Sequence, residues 1–328
     1  MGPLSPLVSQ LSGRRITVVG DPVLDVYLYG STDRISREAP VLIVKEEARE
    51  HRLGGAANTA ANVAALGGQA SLLGFVGDDR DGDALRKEAE ALSIDPRGLL
   101  LREGGATVTK TRILAGALHT RRQQMLRIDR ENERPVSAKD RAHFLEVASQ
   151  AVAATEAVII SDYGEVSLTD CYVELAHRAR ALGKIVVVDS RHALTAFRGV
   201  SAVTPNEPEV EEALGRRLHS PEASLAAAQE LLETLQLEVA LVTRGREGMA
   251  LAQKGAPPML LPAHGKKDAL DVTGAGDTVT ATFTLALAAG LPVESAARLA
   301  NVAASIVVQK PGTATCGPKE LLAELEAS

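Results

Sequence analysis

One glycine-rich stretch of the sequence combines a turn that suits an anion with a carboxylate. Residues 271–273 (DVT) lead into Gly274, Ala275 and Gly276, and Asp277 follows at once before a small, apolar run. A glycine turn that opens a buried helix presents unpaired backbone N–H groups and the positive end of the helix dipole. We therefore predict a phosphate site at this turn.

Asp277 itself has two interpretations. A carboxylate beside an anion site repels a bound phosphate unless it has another task, and accepting a proton from an attacking hydroxyl is such a task. Asp is also a good N-cap residue, which would make its role structural. The other candidate residues, described next, favour a general base.

Acidic and amide side chains follow the first predicted strand and open the first long helix. The β-branched run that begins at Arg15 ends in Gly-Asp at Asp21, and Asp25 lies four residues on. Since ligands of open parallel sheets bind outside the carboxyl ends of the strands, both acids are expected near a substrate, although each could be a solvated turn residue. Asn58 lies in the first turn of a small-residue helix, where an Asn is either a cap or a ligand contact.

Two later strand ends carry further candidates. Asn206 and Glu209 start a helix directly after a short strand, which fits either helix-dipole stabilisation or oxygen ligands for Mg²⁺, held directly or through waters. The stretch 243–248 (TRGREG) is a glycine turn after another strand. Its pattern is weak by itself.

Two segments with alternating polarity interrupt the rest of the pattern, from about residue 24 to 52 and from 106 to 130. They have too few apolar residues for a core layer, and we predict that they form a small β lid over the site. Their basic residues either form a solvated face or bind a phosphorylated substrate. The candidates for substrate binding are Lys110, Arg112 and Arg122.

The composition excludes several classes of partner. Lys and Arg number 36 against 42 acids, for a net charge of −6, so nothing predicts a nucleic-acid or membrane partner. Aromatic residues make up 2% of the chain, so it lacks the stacking platforms of proteins that bind single-stranded nucleic acid.

The sequence also bears on the compartment. The two cysteines lack a paired spacing, the N-terminus lacks a signal-peptide core, and no run reaches the roughly 18 apolar residues of a membrane span. We expect a cytoplasmic protein.

Alternating strand and helix patterns predict the fold class. Buried β-branched strands separated by helices indicate an α/β protein with a doubly wound, mainly parallel sheet and helices on both faces. No linker or shift in composition divides residues 1–328, so we expect one domain with the inserted lid.

These motifs together resemble the PfkB, or ribokinase-like, carbohydrate kinases. The resemblance runs from about Arg15 to the C-terminus and rests on GDPVLD (20–25), GGAANTAANVAALG (54–67), TPNEPE (204–209), TRGREG (243–248) and DVTGAGDTVTATF (271–283).

For the transferred phosphoryl group, the resemblance implies that Asp277 is the base and that residues 274–276 form the anion hole. It implies ATP as the donor and Mg²⁺ near Asn206 and Glu209. Sugar-binding positions are implied at Asp25, Gly54, Gly55 and Asn58. Nucleotide-binding positions are implied at Asn206, Thr243, Gly245, Gly248 and Thr273. A weaker implication is a monovalent cation such as K⁺ near Asp271, Thr273 and the segment around Gly312.

Within that family, the lid and the loop SDYG (161–164) resemble the heptose 7-phosphate kinases of lipopolysaccharide precursor synthesis. The chain ends near residue 328, so we expect the kinase-only form of that enzyme. It departs from the subfamily at Glu165-Val166, where Lys-Gly is usual, at Ser190-Arg191, where Pro-Lys is usual, and in a lengthened loop at 115–120.

The resulting hypothesis is phosphoryl transfer from ATP to C1 of a heptose 7-phosphate. Its nearest rival is the same chemistry on an unphosphorylated sugar, as in a fructokinase or ribokinase. A non-catalytic sugar-binding regulator is disfavoured because the acid and the complete glycine turn are both present. A dinucleotide dehydrogenase is disfavoured because no GxGxxG follows the first strand. The lid has alternating strands with an exposed edge, from which we expect a homodimer.

Overall fold

A large, mainly parallel sheet runs through the computed structural model, which describes residues 3–116, 122–132, 135–265 and 268–327. Seven neighbouring strands of this sheet are parallel, and two antiparallel strands extend one edge, counting only strands within those ranges. In spatial order, the strands are β13 (Met259–Leu261), β12 (Met249–Gln253), β11 (Val239–Thr243), β10 (Ala202–Val203), β9 (Ile185–Ser190), β8 (Ala157–Asp162), β1 (Arg15–Gly20), β4 (Gln69–Gly77) and β5 (Asp95–Arg102).

Helices cover both faces of this sheet, because its central strands are β-branched and buried on both sides. One face packs against α1 (Ser5–Val8), α2 (Ala56–Ala65), α3 (Arg80–Ala91), α8 (Ala275–Ala288), α9 (Val293–Val307) and α10 (Pro318–Glu326). The other packs against α4 (Ala138–Ala153), α5 (Thr169–Ala181), α6 (Glu207–Leu214) and α7 (Pro221–Thr234). The predicted doubly wound α/β fold is confirmed.

Four further strands form a second sheet, which we call the lid sheet. Its spatial order is β3 (Leu42–Gly55), β2 (Pro22–Ile35), β6 (Thr109–Gly116) and β7 (Gln123–Arg130). The pair β2 and β6 is parallel, and the two outer pairs are antiparallel. Strands β2 and β3 extend slightly beyond the first of the two segments assigned to the lid from the sequence, and β6 and β7 lie within the second.

The lid sheet is buried at the end where β2 begins, which we call its base. Its outer strand β7, in contrast, is exposed at every residue. Most of the lengthened loop expected at 115–120 lies outside the described residues.

Helix α8 is buried almost throughout, because its residues are small enough to pack closely against α2 and α9. Every residue from Asp277 to Ala286 is buried. Most of its buried threonines have a hydrogen-bonded hydroxyl: Thr278 donates to Asn62 at 2.8 Å and Thr284 to the carbonyl of Thr280 at 2.7 Å, whereas the hydroxyl of Thr282 has no partner within the described ranges. The helix that begins at the predicted phosphate turn is therefore anchored firmly in the core.

Across the described ranges, the structure contains no helix that is both long and apolar enough to cross a membrane.

Candidate active site

The glycine turn before α8 has the backbone conformation that a side chain would disturb. Gly274 has a φ of +79°, and a Cβ built there would lie 2.5 Å from the side-chain nitrogen of Asn58. A Cβ at Gly276 would meet nothing within 4 Å, because that residue faces open space. Gly274 is thus required by the fold, while Gly276 leaves room beside the first-turn amides of α8.

Asp277 is buried in this turn, with 3% of its surface exposed. Its Oδ2 accepts a hydrogen bond from the amide of Asn58 at 2.7 Å. Its Oδ1 accepts hydrogen bonds from the hydroxyls of Thr59 at 3.0 Å and Tyr163 at 2.8 Å. Gly274 occupies the N-cap position and no side chain caps the helix, so the N-cap interpretation of Asp277 is wrong.

The protonation of Asp277 reflects two opposing effects. Burial raises its pKa to about 6, although the hydrogen bonds from Asn58, Tyr163 and Thr59 all act to lower it. A carboxylate with this pKa is mostly ionised at neutral pH and can still accept a proton. These properties suit a general base.

Asp21 holds the loop that carries Tyr163. Its Oδ2 accepts hydrogen bonds from the backbone amides of Tyr163 at 3.1 Å and Glu165 at 2.9 Å, and its Oδ1 accepts one from the Tyr172 hydroxyl at 2.8 Å. Burial raises the pKa of Asp21 to about 7. The sequence suggested a substrate-facing or solvated acid here, whereas the structure shows a buried anchor for the loop after β8.

Asp25 and the glycine pair at the end of β3 lie together at the base of the lid sheet. The carboxylate of Asp25 is buried and pairs with Arg112 at 2.5 Å. A Cβ at Gly54 would approach Oδ2 of Asp25 to 2.7 Å. Gly55 has a φ of +55°, and a Cβ there would lie 2.5 Å from the carbonyl oxygen of Asp21. Both glycines let β3 pass close to these acids before α2 begins.

The three basic lid candidates, Lys110, Arg112 and Arg122, all have internal partners. Lys110 pairs with Glu165 at 2.9 Å, where both side chains are largely buried. Arg122 pairs with Glu47 at 2.6 Å on the exposed part of the lid sheet. The structure therefore brings Lys110 to the base of the lid, alongside the Asp25–Arg112 pair, and leaves Arg122 near the surface.

A cavity of about 230 Å³ adjoins Asp277. Its lining includes Tyr163, Asp189, Asn206, Glu209, Thr243 and Gly276. The predicted phosphate turn, Asn206, Glu209 and Thr243 therefore share one space with Asp277.

Asn206 and Glu209 stabilise the start of α6 by binding each other's backbone. Oδ1 of Asn206 accepts from the amide of Glu209 at 2.9 Å, and Oε2 of Glu209 accepts from the amide of Asn206 at 2.8 Å. This capping box bears out the structural interpretation of the pair. It leaves Oε1 of Glu209 without a part in the box.

The donor atoms around this cavity nevertheless fit Mg²⁺. Burial raises the pKa of Glu209, and burial together with the charge of Glu209 raises that of Asp189 well above its ordinary value. Two carboxylates that repel each other in one cavity favour a hard cation. No group of three or more His, Cys, Asp or Glu in the described ranges could hold a metal alone, so water or phosphate oxygens would complete the coordination.

The turn at 243–248 has both a cavity-facing residue and structural glycines. Thr243 lines the cavity. Gly245 and Gly248 have φ values of +52° and +93°, and a Cβ at Gly248 would lie 2.0 Å from the carbonyl oxygen of Leu261. The two glycines are therefore needed for the turn itself.

Asp271 ties the segment before the phosphate turn to a distant loop. Its Oδ1 accepts from the amide and hydroxyl of Thr273 at 2.9 and 2.7 Å, and its Oδ2 accepts from the amide of Gly312 at 2.8 Å. Burial would raise the pKa of Asp271, but these hydrogen bonds outweigh it and lower the pKa. The two segments expected around a monovalent cation are thus in contact.

Three residues at the site had no assigned role in the sequence. Thr59 is one position beyond Asn58 on α2, Tyr163 directly follows β8, and Asp189 is the penultimate residue of β9. The position at the carboxyl end of a strand was the available sign for Tyr163 and Asp189. No local feature distinguishes Thr59 from any other helical threonine.

The model of the pfkB family carbohydrate kinases matches residues 14–320. The bifunctional protein HldE of Desulfatibacillum aliphaticivorans is 40% identical over 321 residues, which cover 97% of this chain and 64% of that protein. The chain thus spans less than two thirds of that relative.

Two solved structures share the fold at low sequence identity. Ribokinase of Arabidopsis thaliana, complexed with ribose and ATP, has a TM-score of 0.74 and 21% identity, covering 96% of this chain and 100% of that one. Phosphofructokinase-2 of Escherichia coli, in complex with potassium, has a TM-score of 0.77 and 20% identity, covering 96% and 99%.

Proposed function

The chain belongs to the PfkB family of carbohydrate kinases, and we propose that within this family it phosphorylates C1 of D-glycero-β-D-manno-heptose 7-phosphate with ATP, for lipopolysaccharide precursor synthesis. Family membership makes the protein a sugar phosphotransferase. The observation that carries the mechanism is the buried carboxylate of Asp277, held by Asn58, Thr59 and Tyr163 directly beside the Gly274 turn.

In the proposed reaction, Asp277 accepts the proton of the acceptor hydroxyl as that oxygen attacks the γ-phosphorus. A new oxygen–phosphorus bond forms, the bond between the γ-phosphorus and the bridging oxygen breaks, and ADP leaves with the electron pair. The backbone amides at 274–276 stabilise the charge on the transferred group. Asp277 is buried, and the bound sugar keeps water away from it. This exclusion of water limits hydrolysis of ATP.

Two cations fit the surrounding residues. Asn206 and Glu209, with Asp189 nearby, would hold Mg²⁺ directly or through water, and the bound ion would neutralise charge on the nucleotide phosphates. Asp271 and Thr273, linked to Gly312, would border a monovalent cation such as K⁺. The proposed nucleotide contacts are Thr243, Gly245, Gly248 and Thr273.

The phosphorylated acceptor is supported by the relative named HldE and by the cations at the base of the lid sheet. We assign Asp25, Gly54 and Gly55 to the sugar hydroxyls, and Lys110 and Arg112 to the 7-phosphate. Arg122 is farther out, on the exposed part of the sheet, and would serve only as an entry contact. Asn58 acts chiefly on Asp277.

One observation favours an unphosphorylated sugar as a second candidate. Glu165 and Asp25 already neutralise Lys110 and Arg112, and Glu165 stands where the heptose 7-phosphate kinases usually have Lys. A sugar phosphate must therefore displace a carboxylate to reach either cation.

An acceptor screen with ATP and Mg²⁺ separates these candidates. It compares D-glycero-D-manno-heptose 7-phosphate, sedoheptulose 7-phosphate, fructose 6-phosphate, fructose and ribose at equal concentration. We expect the heptose 7-phosphate to give the highest kcat/KM. If only the free sugars react, the heptose assignment is wrong while the kinase assignment stands.

We also propose a homodimer formed through the lid sheet. The outer strand β7 is exposed along its whole length and carries large apolar residues, with Leu126 54% and Ile128 51% exposed. An exposed apolar edge strand is a template for pairing with a second copy of the same strand.

A further inference from the structure

The loop after β8 places one tyrosine hydroxyl directly on the catalytic carboxylate. The Tyr163 hydroxyl lies 2.8 Å from Oδ1 of Asp277, 114 residues along the chain. Asp21 fixes the backbone of this loop at Tyr163 and Glu165. The tyrosine therefore reaches Asp277 from a loop that is itself held by a buried group.

The hydrogen bonds on Asp277 are unequally shared between its two oxygens. An ionised carboxylate offers about four acceptor positions, two on each oxygen. Among the residues that the structure describes, Thr59 and Tyr163 occupy both positions on Oδ1, whereas Oδ2 accepts from Asn58 alone. One acceptor position therefore remains, and it is on Oδ2.

We infer that Tyr163 is a positioning residue for Asp277: with Thr59 it fills Oδ1, directs the acceptor hydroxyl to Oδ2, and stabilises the ionised form of the base. This inference rests on the proposed role of Asp277 as general base. It assigns the loop 161–164 a part in the reaction beyond its place in the fold.

Tyr163 is suited to act only as a donor. Burial and the charge of Asp277 raise the pKa of Tyr163 well above its ordinary value, so it keeps its proton throughout the neutral range. Two cations lie over its ring, with the Arg191 guanidinium 5.0 Å and the Lys110 ammonium 5.9 Å from the ring centroid. These contacts help to hold the ring in place.

The charged groups around the pair come from several elements. Asp25 on β2 acts to raise the pKa of Asp277, and Asp189 on β9 acts to raise that of Tyr163. Arg191 and Lys110 contribute positive charge near the ring. None of these groups donates a hydrogen bond to Asp277, so the direct effect of the Tyr163 hydroxyl can be separated from theirs.

The test is Tyr163→Phe in the full chain, which removes one oxygen and keeps the ring. A hydrogen bond to an ionised group favours that form, so its loss should raise the pKa of Asp277 by about one to two pH units. We would follow the Asp277 carboxyl carbon by ¹³C NMR, assigned with Asp277→Asn. The acidic limb of kcat/KM should move by the same amount, so that activity falls about fivefold to fiftyfold at pH 6 and recovers at pH 9.

Tyr172→Phe is a matched control, because Tyr172 also donates from 2.8 Å to a buried carboxylate, that of Asp21. Tyr172→Phe should leave the pKa of Asp277 unchanged. If Tyr163→Phe and Tyr172→Phe leave the Asp277 pKa equally unchanged, the inference is overturned and Tyr163 only packs. If Tyr163→Phe does not fold, Tyr163→3-fluorotyrosine, a stronger donor, should lower the Asp277 pKa, and no shift would equally overturn it.

The NMR titration keeps this inference distinct from the proposed function. A chain that phosphorylates none of the sugars, yet shows the Asp277 shift, would refute the function and leave the Tyr163 contact established. A chain that is an active kinase without the shift would refute only the role of Tyr163.

Discussion

The side-chain amide of Asn58 lies 2.7 Å from Oδ2 of Asp277, and the two residues are 219 positions apart in the chain. The contact joins the first turn of α2 to the first turn of α8. It also explains why residue 274 is glycine, since a Cβ there would lie 2.5 Å from the same nitrogen of Asn58. This contact between two helices therefore constrains both Asp277 and the predicted phosphate turn.

Substitution of Asn58 distinguishes this orienting role from direct sugar binding. We expect Asn58→Ala to lower kcat by about tenfold to a hundredfold with a smaller change in KM, because a hydrogen bond to a charged group is worth about 1.5–3 kcal/mol. Steady-state kinetics with the preferred acceptor measures the split. A large rise in KM at unchanged kcat would instead indicate that Asn58 binds the sugar directly.

The buried acid Asp21 should make stability depend on pH. Its pKa is about 7 in the folded chain against an ordinary value of 3.8, so the folded state binds more protons between those values and stability falls as pH rises through that window. Asp21→Asn should lose less stability than the wild type between pH 5 and pH 8 in thermal unfolding. Asp33→Asn, an exposed lid residue, is the control and should follow the wild type. Parallel pH curves for Asp21→Asn and the wild type would refute the assignment.

Glu165 should tune the preference between phosphorylated and free sugars. Glu165→Gln leaves Lys110 without its carboxylate partner, so we expect KM for a sugar phosphate to fall about threefold to tenfold, or about 1 kcal/mol, with little change for the free sugar. Glu47→Gln releases Arg122 on the exposed lid in the same way and is the matched control, with no expected effect. Equal effects of Glu165→Gln on the KM values of both kinds of sugar would show that Lys110 does not bind the phosphate of the sugar.

The proposed dimer depends on the apolar edge of the lid sheet. Leu126→Glu should convert a dimer to a monomer in light scattering at micromolar concentration, because a charge in an apolar interface costs several kcal/mol. Leu182→Glu changes a leucine of similar exposure at the end of α5, 57% against 54%, and should leave the mass unchanged. A wild-type chain that is already monomeric would refute the proposal.

Features of the site that depend on neighbouring residues could be predicted from the sequence, whereas contacts between residues far apart in the chain could not. The turn at 274–276 and the capping box of Asn206 and Glu209 are local, so their residues could be identified from neighbouring positions. The donors to Asp277 come from α2 and from the loop after β8, and only the packing of those elements shows that Thr59 and Tyr163 reach it.

The lid shows the same limit in its charges. Lys110 and Arg112 could be identified as cations near a pocket, but their partners Glu165 and Asp25 lie 55 and 87 residues away along the chain. Alternating strands predicted the sheet, whereas the neutralisation of its cations depends on contacts between distant segments. Asp25 pairs with Arg112 from the neighbouring strand β2, and Glu165 contacts Lys110 from the loop after β8.

The most direct measurement on the central claim is the turnover of Asp277→Asn with the preferred acceptor, alongside ATP binding by calorimetry. Asn keeps the size of the side chain and some of its hydrogen bonds but cannot accept the proton. We expect kcat to fall by about 10²- to 10⁴-fold while the dissociation constant for ATP changes less than about threefold. Near-normal turnover in Asp277→Asn would contradict the assignment of Asp277 as the general base.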